Sequence, residues 1–269
     1  MHSRVCLHQV AFLNETTTAF IEHCRAIDVQ NVTLVSPLLM KPGAVSEAQR
    51  ALANGGPRVV TVNHPFATFP DLERDSGEAT QKMLEAIGIA ATLDASYVYL
   101  LTGGRGSLAW EQAADRFVDL ITPCKERAAA YGISLLVENA SAFNADIHIA
   151  HTFADTITLA QMAGIGLCID FHACWMEAGL QNLLERVMPV TGLVQVSDYV
   201  LGDRIAPCRA VPGDGTVPLE RLIAGALAAG YRGVFDLELV GPRIDAEGAR
   251  PATARAAENL STILSRLGA

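Results

Sequence analysis

The chain has 269 residues, half of them hydrophobic, and a formal net charge of −9, enough apolar material to bury a large core in one barrel-sized unit or two small domains. The acidic balance, with no Lys/Arg cluster, argues against a nucleic-acid backbone or an anionic membrane surface as the main partner and leaves a small molecule. No run approaches the roughly 20 apolar residues of a membrane helix, residues 1–5 lead straight into a strand pattern, and the six cysteines form no CxxC pair, so a cytoplasmic protein with reduced thiols is expected.

Along the chain, short runs rich in Val, Ile, Leu and Tyr alternate with longer stretches in which Ala, Leu and charge recur at helical spacing. Strands are expected at 5–12, 32–36, 59–64, 97–102, 134–139, 166–170, 193–198 and 233–239. Helices are expected at 16–26, 45–54, 75–93, 108–131, 152–163, 176–187, 218–229 and 251–267. Tyr131-Gly132, Ala163-Gly164 and Ala229-Gly230 each place a glycine where a left-handed residue closes a helix. Eight near-continuous apolar strands, each followed by a helix, predict an α/β fold in which residues 1–269 form a single (β/α)₈ TIM barrel. An open dinucleotide-binding sheet fits less well, because no GxGxxG follows the first strand.

In such a barrel, chemistry belongs to polar residues that end apolar strands. Strand five ends in Glu138-Asn139 and strand six in Asp170; strand seven carries Gln195 and Asp198, and strand eight Asp236 and Glu238. Carboxylates among Val and Leu are costly unless a cation or dense hydrogen bonding compensates them. One shared metal satisfies Glu138, Asp170 and Glu238 together, whereas separate caps or arginine pairs would satisfy them singly. Oxygen ligands without cysteine point to Mn²⁺ or Mg²⁺ first and to Co²⁺ or Zn²⁺ after them.

The ordered set Leu-Val-Glu138-Asn, Cys-Ile-Asp170-Phe-His172, Val-Gln195-Val-Ser-Asp198, Arg209-Ala-Val-Pro-Gly-Asp-Gly215 and Asp236-Leu-Glu238 resembles the xylose-isomerase-like barrels, over essentially the whole chain. That family includes ketose 3-epimerases, hydroxypyruvate isomerase, inosose dehydratase and, more distantly, endonuclease IV. The resemblance implies metal ligation by Glu138, Asp170 and Glu238, with Gln195 where relatives carry a histidine. It also implies proton transfer by Glu138 and Glu238 on a sugar, polyol or sugar phosphate, and a homo-oligomer, dimer or tetramer. His172 departs from the family spacing by one residue. A three-zinc nuclease would need more rim histidines and a basic face.

Around this set, the resemblance implies that Arg209 binds a substrate hydroxyl or phosphate; His64 and His172 are expected to face the substrate, and Trp175 to pack on a sugar face. Trp110 is a weaker candidate for such packing. His8 reads equally as pocket or core, and His148 and His151 read as loop residues or helix entry. Gly103-Gly104-Arg105-Gly106 reads as a strand-to-helix turn before it reads as a phosphate loop. The expected activity is a metal-dependent isomerase or epimerase working through an enediolate. The alternatives are a dehydratase on the same site and a barrel that binds sugar without catalysis.

Overall fold

A computed structural model describes residues 1–67 and 71–269. Strands β1 (Val5–His8), β2 (Asn31–Val35), β3 (Arg58–Ala67), β4 (Tyr97–Gly103), β5 (Ser134–Glu138), β6 (Gly166–Asp170), β7 (Thr191–Val196) and β8 (Phe235–Leu237) close into one parallel barrel in chain order. Closure is direct: Val5 registers with Phe235 and Leu7 with Leu237. No helix among the described residues is long and apolar enough to cross a membrane.

Parallel strands wrapped by helices are buried on both faces, and this is why their apolar runs are continuous. The outer faces pack against the helices around fully buried Phe20, Phe117, Phe153 and Phe171, each contributing roughly 1.5–3 kcal/mol by leaving water. The inner faces form a separate plug of Cys6, Val60, Tyr99, Leu136, Cys168, Leu193 and Val234. All six cysteines are free.

The helices at Thr17–Ala26, Ala44–Ala53, Trp110–Ala130, Phe153–Ala163, Leu219–Ala228 and Ala249–Arg266 lie within two residues of expectation. Thr16 and Thr152 accept the first amides of their helices, from Ala19 and Asp155, and Gly164, at φ 62°, closes Phe153–Ala163. Elsewhere side chains moved the boundaries. Asp75 accepts the N–H groups of Gly77 and Ala79, so the helix expected from residue 75 begins later, as Glu78–Thr92. The helix expected over 176–187 is Leu180–Val187, because Glu177 is turned aside to accept the N–H of Phe153. The first strand stops at His8, whose Nδ1 accepts the N–H of Val10 and turns the chain into a 3₁₀ helix over Gln9–Phe12.

Gly103, at φ 92°, ends β4 against β3: a Cβ there would lie 1.9 Å from the Ala67 carbonyl oxygen. Close packing of two strands therefore explains this glycine. Gly103→Ala should cost at least about 2 kcal/mol, from strain and clash together. The check is a drop of several degrees in melting temperature relative to wild type.

Candidate active site

The carboxyl ends of β5 to β8 meet at one rim. Side chains alternate across a strand, so the inward faces read Leu136 then Glu138, Cys168 then Asp170, Leu193 then Gln195, and Val234, Asp236 then Glu238. The apolar plug lies below and the polar layer above. Glu138, Asp170 and Glu238 each bring one oxygen within 4.8 Å of the others.

Local hydrogen bonds hold this arrangement. Asn139 Oδ1 accepts the N–H of Asp170 at 2.8 Å, and Asn139 Nδ2 donates to the Asp170 carbonyl at 3.0 Å. The side chain thereby continues the β5–β6 ladder past its last backbone bond. Asp170 also caps the short helix Phe171–Cys174 by accepting the N–H of His172 at 2.9 Å.

Arg209 reaches into the cluster from the loop after β7. Its Nη2 donates to Asp170 Oδ2 at 2.8 Å and its Nη1 to Asp170 Oδ1 at 3.2 Å and Ser197 Oγ at 3.1 Å. Nη2 also lies 2.6 Å from Glu238 Oε2, a charge contact off the hydrogen-bond direction. Burial disfavours the charged guanidinium, but Asp170 and Glu238 outweigh it and raise its pKa further. Three carboxylates against one cation leave an excess of two negative charges. The carboxyls respond by holding protons: burial, then repulsion from Glu238 and Asp170, pushes Glu138 well up, and burial raises Glu238 to about 7 although Arg209 opposes it.

Gln195, fully buried, donates from Nε2 to Tyr99 Oη at 3.1 Å, while its Oε1 has no partner in the protein. A single divalent cation would cancel the excess charge, and the donors on hand are all hard oxygens. The residues present fit such an ion: Glu138, Asp170 and Glu238 could hold it, and Gln195, in register with Asp170, carries an unpartnered Oε1.

A cavity of about 450 Å³ opens from Glu138, Asp170 and Arg209 toward His172, Trp175 and Tyr199. The His172 ring stands edge-on to Tyr199 with Nε2 unpartnered, and burial, then Arg209, lowers its pKa. His64 is not brought to this cavity. It registers with Leu100, which packs in the outer core, while Asn63 registers with the inward Tyr99. His64 thus faces the helices, with Nδ1 2.7 Å from Ser36 Oγ. His148, though in a loop, is buried, its Nδ1 accepting the N–H of Thr102, and burial holds it near 3. Trp110 donates to the Ile149 carbonyl and does not line the cavity. A second cavity, about 790 Å³, lies at the opposite end where Tyr97, Ser134, Gly166 and Thr191 begin or border their strands; no acidic residue lines it.

The family model of xylose isomerase-like TIM barrels matches residues 22–264. The chain belongs to that family. A 3-dehydroshikimate dehydratase of Pseudomonas aeruginosa is 24% identical over 234 residues, covering 84% of this chain and 36% of that protein. The chain thus spans little more than a third of that curated relative's length. The IolI protein, solved with a zinc atom bound, superposes with a TM-score of 0.82 at 17% identity, covering 98% of this chain and 99% of the other. A 3-keto-D-glucoside 4-epimerase from E. coli, YcjR, gives 0.72 at 15% identity, with 94% and 98% covered. At such identities these two likenesses are likenesses of fold.

In this xylose isomerase-like barrel, the residue whose role the strand-end pattern left open is Asp198. Its carboxylate accepts the N–H groups of Tyr199, Gly213, Gly215 and Val217, gathering both ends of the loop that carries Arg209. Asp203 and Asp214 in the same loop are each gripped through two bonds, by Arg243 and Arg255. Asp198→Ala leaves four loop amides without their acceptor. Limited proteolysis should then cut within 199–217 at least about tenfold faster, in a barrel whose far-ultraviolet dichroism is unchanged.

Proposed function

We propose that this protein is a metal-dependent isomerase or epimerase of a hydroxy-carbonyl sugar or sugar phosphate, moving a proton on the carbon beside the carbonyl. The observation that carries this reading is the pair Glu138 and Glu238. Glu138 is buried and Glu238 nearly so, both have raised pKa values, and they share one cluster at the inner end of the cavity. Each carboxyl has two oxygens, so one can face an ion while the other exchanges a proton with the substrate carbon.

One glutamate takes the proton and an enediolate forms on the substrate; the other returns a proton, to the opposite face for an epimerase or to the neighbouring carbon for an isomerase. Arg209, held protonated between Asp170 and Glu238, offers fixed donors to a substrate hydroxyl or phosphate. His172, with its lowered pKa and free Nε2, is a neutral partner for another hydroxyl, and Trp175 walls the cavity. A divalent ion, Mn²⁺ or Mg²⁺ in the first instance, held by Glu138, Asp170, Glu238 and Gln195 Oε1, would supply the electron withdrawal that acidifies the carbon.

A second reading has one specific support: the curated relative named as a 3-dehydroshikimate dehydratase. The same abstraction followed by loss of a β-hydroxyl eliminates water.

To test both, metal-loaded protein is incubated in D₂O with a panel of ketoses, keto-glycosides, inososes and 3-dehydroshikimate, and followed by proton NMR. Deuterium entry at the carbon beside the carbonyl, with an epimer or isomer appearing, is the expected result; a conjugated alkene product would move the assignment to the dehydratase. Glu138→Gln and Glu238→Gln should each lose at least about 10³-fold in turnover while the barrel stays folded. Near-normal activity in either variant sinks its assignment as the proton carrier.

The ion and the protons compete for the same oxygens. Carboxyl pKa values raised in the metal-free protein mean that protons occupy the site below about 7 for Glu238, so Mn²⁺ affinity should fall on acidification through that value. Calorimetry in buffers of differing ionisation heat should show proton release on binding near pH 6.5. Affinity that stays flat from pH 8 to 6 would contradict the assignment of Glu238 as a ligand.

A further inference from the structure

Apolar side chains scattered singly over a protein surface are ordinary, whereas several gathered at one place mark something that covers them. Among the described residues the four most exposed large hydrophobic side chains are Phe143 at 78%, Met176 at 76%, Ile205 at 72% and Leu201 at 68%, ahead of Val190 at 56%. They come from three loops that meet. Phe143 lies in the turn after β5, Met176 in the segment after β6, and Leu201 and Ile205 in the loop that carries Arg209. Phe143, Met176 and Leu201 line the cavity that ends at Glu138 and Asp170, and Ile205 stands between Arg204 and Ala206, which line it too.

The cavity is thus divided along its length. Its inner end holds the acids, Arg209 and the unpartnered Nε2 of His172, and its outer wall joins Trp175 and Pro207 to the exposed group. A substrate hydroxylated on all sides would turn hydroxyls toward that wall and lose water there for few partners. A phosphate would meet one guanidinium, Arg204, beside an Asp203 already gripped by Arg243. An aromatic ring suits the same surroundings better: Phe143, Trp175 and Leu201 offer apolar contact, Met176 a polarisable sulfur, and Arg204 a planar cation that stacks on a ring face. A second copy of this chain could cover the rim, but a concave space of about 450 Å³ has the volume of a small-molecule site.

We propose that the substrate is a hydroxy-carbonyl compound bearing an aryl substituent, with the polar ring at the carboxylate cluster and the aryl group in the apolar mouth between Phe143, Trp175, Met176 and Leu201. The polar half rests on the isomerase or epimerase reading above. The aryl half rests on the mouth alone.

Two keto-glycosides that share the polar ring separate the halves. Metal-loaded protein is titrated calorimetrically with methyl 3-keto-β-D-glucoside, phenyl 3-keto-β-D-glucoside and fructose 6-phosphate. The phenyl compound should bind at least about tenfold more tightly than the methyl one, through the apolar area it buries. In protein carrying Phe143→Ser together with Met176→Ser, whose side chains are too exposed for folding to depend on them, the preference should shrink to about twofold or less.

Equal binding of the two glycosides, or binding of neither, overturns the proposal. So does a preference that survives the double substitution, or fructose 6-phosphate binding more tightly than the phenyl compound. Sedimentation supplies one more check: a wild-type dimer that the double substitution turns into a monomer would give the mouth to a second copy instead. The same samples in D₂O keep the two readings apart. A phenyl preference without deuterium entry brings down the isomerase or epimerase reading and leaves the aryl site, whereas deuterium entry with no preference removes only the aryl site.

Discussion

The mouth of this barrel is organised around a charge that does not balance. Glu138, Asp170 and Glu238 are brought together by neighbouring strand ends, and Arg209 touches two of them but cancels only one of the three charges. Burial raises the cost of every uncompensated charge, so the remaining two must be met by protons or by a cation. The raised pKa values of Glu138 and Glu238 follow from that requirement together with burial.

The cluster is also what distinguishes the two ends of the molecule. The larger cavity at the amino ends of the strands has more volume and no acid, whereas the smaller one combines carboxyls, a guanidinium and a free imidazole nitrogen. The loop 199–217, spanned by Asp198 and held at Asp203 and Asp214, keeps the guanidinium over the cluster, so the strand-end acids and their counter-ion come from different layers of the fold.

Much of this was legible in the chain because parallel strands buried on both faces read as apolar runs, and the carboxylates interrupt those runs at their ends. What escaped depends on contacts distant in sequence. The register of β2 against β3 shifts between Val32 and Thr33, so Thr33 meets Thr61 rather than Val60. With strict alternation Val60, Val62 and His64 would all point inward; the bulge hands that face to Asn63 and turns His64 toward the helices. Helix starts drifted where Asp75 and Glu177 spend their carboxylates on loop amides. Asn139 was visible only as the neighbour of Glu138, because its bonds to Asp170 cross between strands.

The Asn139 amide has one further consequence. It ties the tips of β5 and β6 together beyond the end of their ladder, so Glu138 and Asp170 stand on a stiffened edge. Glu238 lies one residue past Leu237, where the three-residue β8 makes its last pairing with β1 and β7. The β5–β6 edge of the rim is therefore bonded past its ladder, whereas Glu238 is held there by the Arg209 contact. Two of the three clustered carboxylates thus keep one fixed spacing, set by an amide that carries no charge of its own.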